Sequence, residues 1–147
     1  MAGYMNEKKR NEPKVYIRKT KISDNLEELT YVKQAERVVS NLPNKNGKIM
    51  PTTNKIRNML TLIGELYNKA RYAEGNKLDE EIQSHAQYVK MRLVYEAGRD
   101  KDVKILLEES GLLGYLDKVG DSKKELIRLC RYMEALVAYH KYNTTER

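Results

Sequence analysis

The sequence predicts an all-α fold: a compact bundle of about five helices behind a disordered basic N-terminal arm. Three observations predict it. Apolar residues recur at spacings of three and four, the helical period, through most of the chain. Helix start and stop signals divide these stretches at short intervals. No segment alternates apolar and polar residues between hairpin turns, as strands would. A length of 147 residues suits one domain with one sizeable core.

Residues 1–23 lack apolar periodicity, are rich in Lys, Asn and Glu, and read as a flexible basic arm. Residues 24–147 form the expected single helical-bundle domain. Its first helix is expected from about Asp24 to Leu42, with Leu26, Leu29, Val32, Ala35, Val39 and Leu42 as its apolar stripe. Pro43 to Gly47 reads as a loop. A second helix is expected to start near Thr53. There Pro51-Thr52-Thr53 offers a hydroxyl to an unpaired backbone N–H of the first turn. Its stripe is Ile56, Met59, Leu60, Ile63, Tyr67 and Ala70. A third runs from about Leu78 to Ala97 with Leu78, Ile82, Ala86, Val89 and Leu93 in register, and Gly98 fits the left-handed position after a helix. Asp100 is placed to cap a fourth, shorter helix holding Val103, Leu106 and Leu107. Gly111 and Gly114 interrupt it, leaving Leu112 to Val119 as a separate turn or two. Ser122 and Glu125 form a capping box that opens the last helix, Lys123 to about Tyr142.

Composition excludes several classes. Charged residues make up 33% of the chain, and no run of 18 uncharged apolar residues exists to cross a membrane. The basic N-terminus lacks an apolar stretch after it and does not read as a secretory signal. One cysteine rules out an intramolecular disulfide framework and fits a reducing cytoplasm. All 11 aromatic residues are Tyr, so the core must rely on Leu, Ile, Val, Met and tyrosine rings. Packing is therefore the expected use of most tyrosines, rather than base stacking.

No catalytic constellation, metal site or cofactor is expected. His85 and His140 are far apart, and neither has metal-ligand spacing with Cys130 or with carboxylates. Phosphate-binding glycine motifs and a nucleophile elbow are absent. The pairs Glu80-Glu81 and Glu108-Glu109 point in different directions on a helix and read as solvated faces. His140 shares a face with Leu126, Leu129, Met133 and Val137 and reads as a hydrogen-bonded core histidine. Cys130 reads as a small core hydrophobe.

Nucleic-acid binding is the open possibility. The net charge is +7, but residues 1–21 hold seven basic and two acidic groups, so most of the excess lies in the arm. The folded body has one local patch: Lys45, Lys48, Lys55, Arg57, Lys69 and Arg71 against Glu65 alone, bordered by acidic segments. On the second helix, Arg57, Thr61, Gly64, Asn68 and Arg71 share one flank, while Lys55 and Lys69 lie on the other. These four charges cannot grip one phosphate track from a single face, and the flank with small polar residues suits close phosphate approach better. On the last helix Lys124, Arg128 and Arg131 share a side that continues as Ala135, Ala138 and Tyr142. A solvated charged face explains that side equally well.

Three blocks carry a family resemblance: Thr52-Thr53-x-x-Ile56-Arg57, Val94-Tyr95-Glu96-Ala97-Gly98-Arg99, and Cys130-Arg131-Tyr132-Met133-Glu134-Ala135-Leu136-Val137-Ala138-Tyr139. With these, over about Tyr31 to Tyr142, the chain resembles the small helical subunit of type III-A CRISPR–Cas effector complexes, the Csm complexes. The resemblance implies a non-enzymatic RNA-binding scaffold in antiviral defence. Several copies would stack head to tail as a minor filament. Its partners would be the guide-binding backbone subunits, the large polymerase-like subunit, other copies of itself, and the phosphate backbone of target and guide RNA. Arg57, Arg99 and Arg131 stand inside the matching blocks and become RNA-binding candidates. Lys55, Lys69, Arg71, Lys90 and Arg128 join them on charge pattern. The basic arm is longer than the family's usual start. Two other classes stay open on the residues alone: a small all-α DNA-binding regulator and a purely structural adaptor.

Overall fold

In the computed structural model of the chain, residues 16–145 are described. Six α-helices and one small hairpin follow in order: α1 Tyr31–Ser40, β1 Asn44–Lys45, β2 Lys48–Ile49, α2 Thr53–Arg71, α3 Glu80–Arg99, α4 Lys101–Ser110, α5 Leu112–Val119 and α6 Lys123–Asn143. The all-α expectation holds, with one helix more than the five expected and a hairpin where the sequence predicts a loop.

Helix α6 is the pillar. It packs on α1 and α2 along its length and on α5 near its start, while α3 closes the other side against α2 and α4. Its apolar face, through Leu126, Leu129, Cys130, Tyr132, Met133 and Leu136, is buried throughout. The α2 stripe follows the expected register at Ile56, Met59, Ile63 and Ala70, and adds Leu66. In α3, Ile82, Ala86, Val89 and Leu93 are all buried, as the spacing predicts. Burying a Leu, Ile or Met stabilises by about 1.5–3 kcal/mol each, so these stripes hold the bundle together.

Caps form at Thr52, Asp100 and Ser122 as the sequence predicts, Asp79 adds one it did not mark, and the Glu125 half of the capping box is missing because Glu125 binds Arg128 while Ser122 N donates to Val119 O. The Thr52 hydroxyl accepts from Lys55 N, Asp79 from Ile82 N, Asp100 from Asp102 N and Val103 N, and Ser122 from Glu125 N. Each satisfies an N–H that a helix start leaves unpaired.

Four expectations need correction. The first helix begins at Tyr31 rather than near Asp24, so Leu29 falls before it and is 96% exposed, and Val32, in its first turn, is 44% exposed instead of joining the stripe. The Leu26 carbonyl accepts from Arg128 Nη1 at 3.2 Å, so the chain is tied down there without a helical turn. Gly98 is inside α3 and not left-handed. The helix ends one residue later because Asp100 turns extended to cap α4. Gly114, expected to interrupt the chain, lies inside Leu112–Val119, a helix of 8 residues that is set apart as expected by left-handed Gly111, where a Cβ would clash with Ile22 Cδ1. The hairpin turns at Asn46 and Gly47, both with positive φ, the pair favoured in two-residue hairpin turns.

The arm expected over residues 1–23 lies outside the described residues as far as residue 15. Beyond that, the chain is anchored. Glu109, expected on a solvated face, is 0% exposed and accepts from Tyr16 Oη at 2.7 Å, Lys19 N at 2.8 Å, Thr20 N at 3.0 Å and Thr20 Oγ1 at 2.6 Å. A buried carboxylate is costly unless its oxygens are hydrogen-bonded, and these four donors do that. Nearby, Gln34 Nε2 donates to the hydroxyls of Tyr115 and Tyr132 at 2.9 and 3.1 Å, and Tyr132 donates to Ser110 O at 2.9 Å. This polar network fixes the segment before α1 against α4, α5 and α6.

Candidate nucleic-acid interface

The basic residues singled out from the sequence separate into two groups. The first is engaged within the fold. Lys55 pairs with Asp100, the cap of α4. Lys69 reaches Glu81 on α3 at 3.7 Å in an exposed pair, the loosest of this group, and Lys90 reaches Asp117 on α5 at 2.7 Å. Arg128 is the most enclosed: its side chain is 11% exposed and it binds Glu28 at 3.1 Å, Glu125 at 3.2 Å and the Leu26 carbonyl. It turns toward the segment before α1 and so parts from Arg131, with which the helical wheel groups it. Lys45, in the same local patch, reaches Asp102 at 3.3 Å.

The second group stays open. Arg57 is exposed and its guanidinium has no partner among the described residues. Arg71 stacks over the Tyr72 ring at 4.6 Å, and Arg131 over the Tyr67 ring at 5.5 Å with Nη2 3.5 Å from Tyr67 Oη. The hydroxyl of Tyr72, and more weakly that of Tyr67, hold the Arg71 guanidinium above its ordinary pKa. Tyr67 therefore stands between the two arginines and links the end of α2 to the middle of α6. The one acid near Arg131 is Glu134, at 3.8 Å and one turn along, an exposed pair of the kind worth little. Stacking on a tyrosine restrains each guanidinium, and the hydroxyls of Tyr72 and Tyr67 take one donor apiece, leaving the other N–H groups free.

Between Arg57 and Arg71 the flank presents Thr61, Gly64 and Asn68. Thr61 and Asn68 are exposed, and a Cβ on Gly64 would meet nothing within 4 Å. The flank is roughly 20 Å long at 1.5 Å rise per residue. An extended, cationic, small-featured strip of this length can follow a phosphate backbone. The stacking role of Tyr67 and Tyr72 is not evident from the sequence alone, because Arg131 comes to Tyr67 from another helix and Arg71 only adjoins Tyr72. Arg99 sits apart, near the end of α3. Its side chain is 66% exposed, 4.0 Å from Glu96 and 5.5 Å from the Tyr95 ring centroid, beside the groove between α3 and α4.

The residues with possible chemistry have structural surroundings. His140 is 1% exposed, with Nε2 at 2.9 Å from Ile49 O and 2.7 Å from Pro51 O. That nitrogen faces two acceptors and carries the proton, tying the hairpin to α6. Cys130 is 2% exposed, and burial pushes its thiol up to about 12, away from thiolate chemistry. His85 lies 3.5 Å from Glu65 on the side of α2 that faces α3. Among the described residues no group of three or more His, Cys, Asp and Glu is arranged to hold a metal ion, and no helix is long and apolar enough to cross a membrane.

The described residues thus form a small all-α protein with an exposed cationic strip along α2. Comparison with known proteins gives the family. The family model described as Csm2 Type III-A matches residues 23–146. The chain is 41% identical over 112 residues to the CRISPR system Cms protein Csm2 of Mycobacterium tuberculosis (strain ATCC 25618 / H37Rv), covering 76% of this chain and 90% of that protein. It is 42% identical over 113 residues to the protein of the same name from Streptococcus thermophilus, covering 76% of this chain and 89% of that protein. A third relative of that name, from Enterococcus italicus, is 36% identical over 97 residues, covering 62% of this chain and 66% of that protein. The chain belongs to the Csm2 type III-A family, and it is a small subunit of the type III-A CRISPR–Cas effector complex of antiviral defence.

Proposed function

We propose that this subunit is a non-catalytic, cytoplasmic scaffold of the Csm complex, and that it holds the target RNA–guide duplex by its phosphates. Several copies stack as a minor filament beside the guide-binding backbone subunits and the large subunit. The observation that carries the RNA contact is the open α2 flank. Arg57, Arg71 and Arg131 lie along one exposed strip with small residues between them, while neighbouring lysines are engaged elsewhere. In an RNA-guided complex, base pairing with the guide reads the sequence, so a subunit needs only to recognise backbone. Arginine suits this, because its planar fork can hold two phosphate oxygens at once. The strip can do so without disturbing the fold, since none of the three side chains is buried.

The test is target-RNA binding by the reconstituted complex carrying Arg57→Ala/Arg71→Ala/Arg131→Ala. The expected result is weaker binding with a shallower salt dependence, by about 0.7–0.9 in log–log slope for each phosphate that is no longer neutralised. Unchanged binding and slope would remove the RNA role of this strip and favour a purely structural adaptor.

A further inference from the structure

Two surface features lie away from the α2 strip, and each joins exposed apolar side chains to unpaired charge. The first is a groove of about 530 Å³ between α3 and α4, with an apolar lining of Val94, Ala97, Gly98 and Leu113 and a rim on which Arg99, Lys101 and Lys104 outnumber one acid, Glu108. Val94 is 50% exposed, and Lys101 and Lys104 on the lining have no partner among the described residues. Gly98 adds to it. A Cβ there would meet nothing within 4 Å, so packing inside the chain gives no reason for a residue that disfavours helix. A glycine in a helix that faces open space leaves room for another backbone.

The second feature is the segment that leads into α1. Leu29 is 96% exposed and Val32 44% exposed, although both follow a helical apolar spacing. Asp24 and Glu27 beside them are exposed, and their carboxylates have no partner among the described residues. The segment is nevertheless fixed: Arg128 binds Glu28 and the Leu26 carbonyl, and Lys118 binds the Asp24 carbonyl. It is an apolar knob on a firm base, with the free carboxylates of Asp24 and Glu27 on one side and Lys33 next to Val32 on the other.

One feature is concave, apolar and basic; the other is convex, apolar and acidic. We infer that the Asp24–Val32 knob of one copy seats in the α3–α4 groove of the next, which makes this the contact between stacked copies. The inference rests on the stacked arrangement proposed above and assigns its two faces. A contact between two different patches of the same chain is heterologous, and it extends a row wherever the rotation between copies does not close a ring. Leu29 and Val32 supply the apolar insert, and Asp24 and Glu27 face Lys101 and Lys104.

The test uses the assembled complex. A Leu29→Cys/Val94→Cys chain is incorporated and treated with a short bis-maleimide; the native thiol of Cys130 is buried and silent. The expected result is a ladder of dimers, trimers and higher multimers of this subunit, with no ladder from either single-cysteine chain. In parallel, native mass spectrometry of an Asp24→Lys/Glu27→Lys complex is expected to show fewer copies, restored by adding Lys101→Glu/Lys104→Glu. A complex that keeps several copies but gives no ladder overturns these faces and leaves stacking intact. Dimers from one single-cysteine chain alone overturn them in favour of like-with-like pairing. A complex holding one copy overturns both the faces and the stacking.

Discussion

The two flanks of α2 carry the same sign of charge in opposite surroundings. Toward α3 and α4, Lys55 and Lys69 meet Asp100 and Glu81, and Glu65 meets His85. Away from them, Arg57 meets nothing among the described residues, and Arg71, with Arg131 of α6 beside it, meets tyrosine rings and hydroxyls and one exposed glutamate. Basic residues on one helix are thus divided by what their neighbours leave unsatisfied. Charge density along the sequence cannot make that division, because the partners come from residues far along the chain. The consequence is a separation of effects. Removing a charge engaged within the fold should cost stability and leave RNA affinity alone. Removing one from the open strip should do the reverse.

The extreme of the engaged kind is Glu109, and it gives the largest expected effect. Glu109→Ala leaves Tyr16, Lys19 and Thr20 donors without their acceptor and should cost about 3 kcal/mol of stability. Thermal unfolding measures it. Burial alone would raise the Glu109 pKa, but hydrogen bonds from Thr20 and Tyr16 and two backbone N–H groups outweigh it and hold the carboxyl below its ordinary value. A carboxyl with a lowered folded pKa contributes its stability fully above the unfolded value of 4.5 and loses it as pH falls through the lower folded value. A Glu109→Gln chain should therefore lack that part of the acid-side loss of stability.

Next comes Asp100, which caps α4 and holds Lys55. Its Lys55 hydrogen bond, joined by the N–H groups of Asp102 and Val103, lowers its pKa against the opposing effect of burial. Asp100→Ala should cost about 1–2 kcal/mol, mostly as a lost cap. Target binding by the assembled complex should be unchanged, and a loss of affinity at constant stability would break the division between the flanks. Gly64→Ala is the smallest effect and the opposite in sign. With open space at the Cβ position, alanine should stabilise α2 by roughly 0.5–1 kcal/mol. The added methyl stands where a phosphate would approach, so target binding should weaken even as the melting temperature rises.

Much of the fold is legible from local pattern. The α2 and α3 stripes, the caps at Thr52, Asp100 and Ser122, and the buried roles of His140 and Cys130 follow from spacing and residue type. Asn46–Gly47 is a turn signal in the sequence, but the hairpin's strands of 2 residues each are too short to alternate. The start of α1 is misplaced because Leu26 and Leu29 continue a helical spacing that long-range bonds from Arg128 interrupt. Nothing local marks Glu109: it follows another glutamate, and its donors lie about 90 positions earlier. The same limit applies to the basic residues. The helical wheel separates Arg57 from Lys55 and Lys69, but it groups Arg128 with Arg131, which tertiary partners part.

The most direct test of that separation is the salt dependence of target-RNA binding by the complex, measured for two variants side by side. Arg57→Ala/Arg71→Ala/Arg131→Ala should lower the slope of log affinity against log salt by about two to three, at unchanged melting temperature of the subunit. Lys55→Ala/Lys69→Ala should leave the slope near that of the unmodified complex. Equal reductions of slope from both variants, or a reduction confined to the lysine pair, would contradict the assignment of the open α2 strip as the RNA-facing surface.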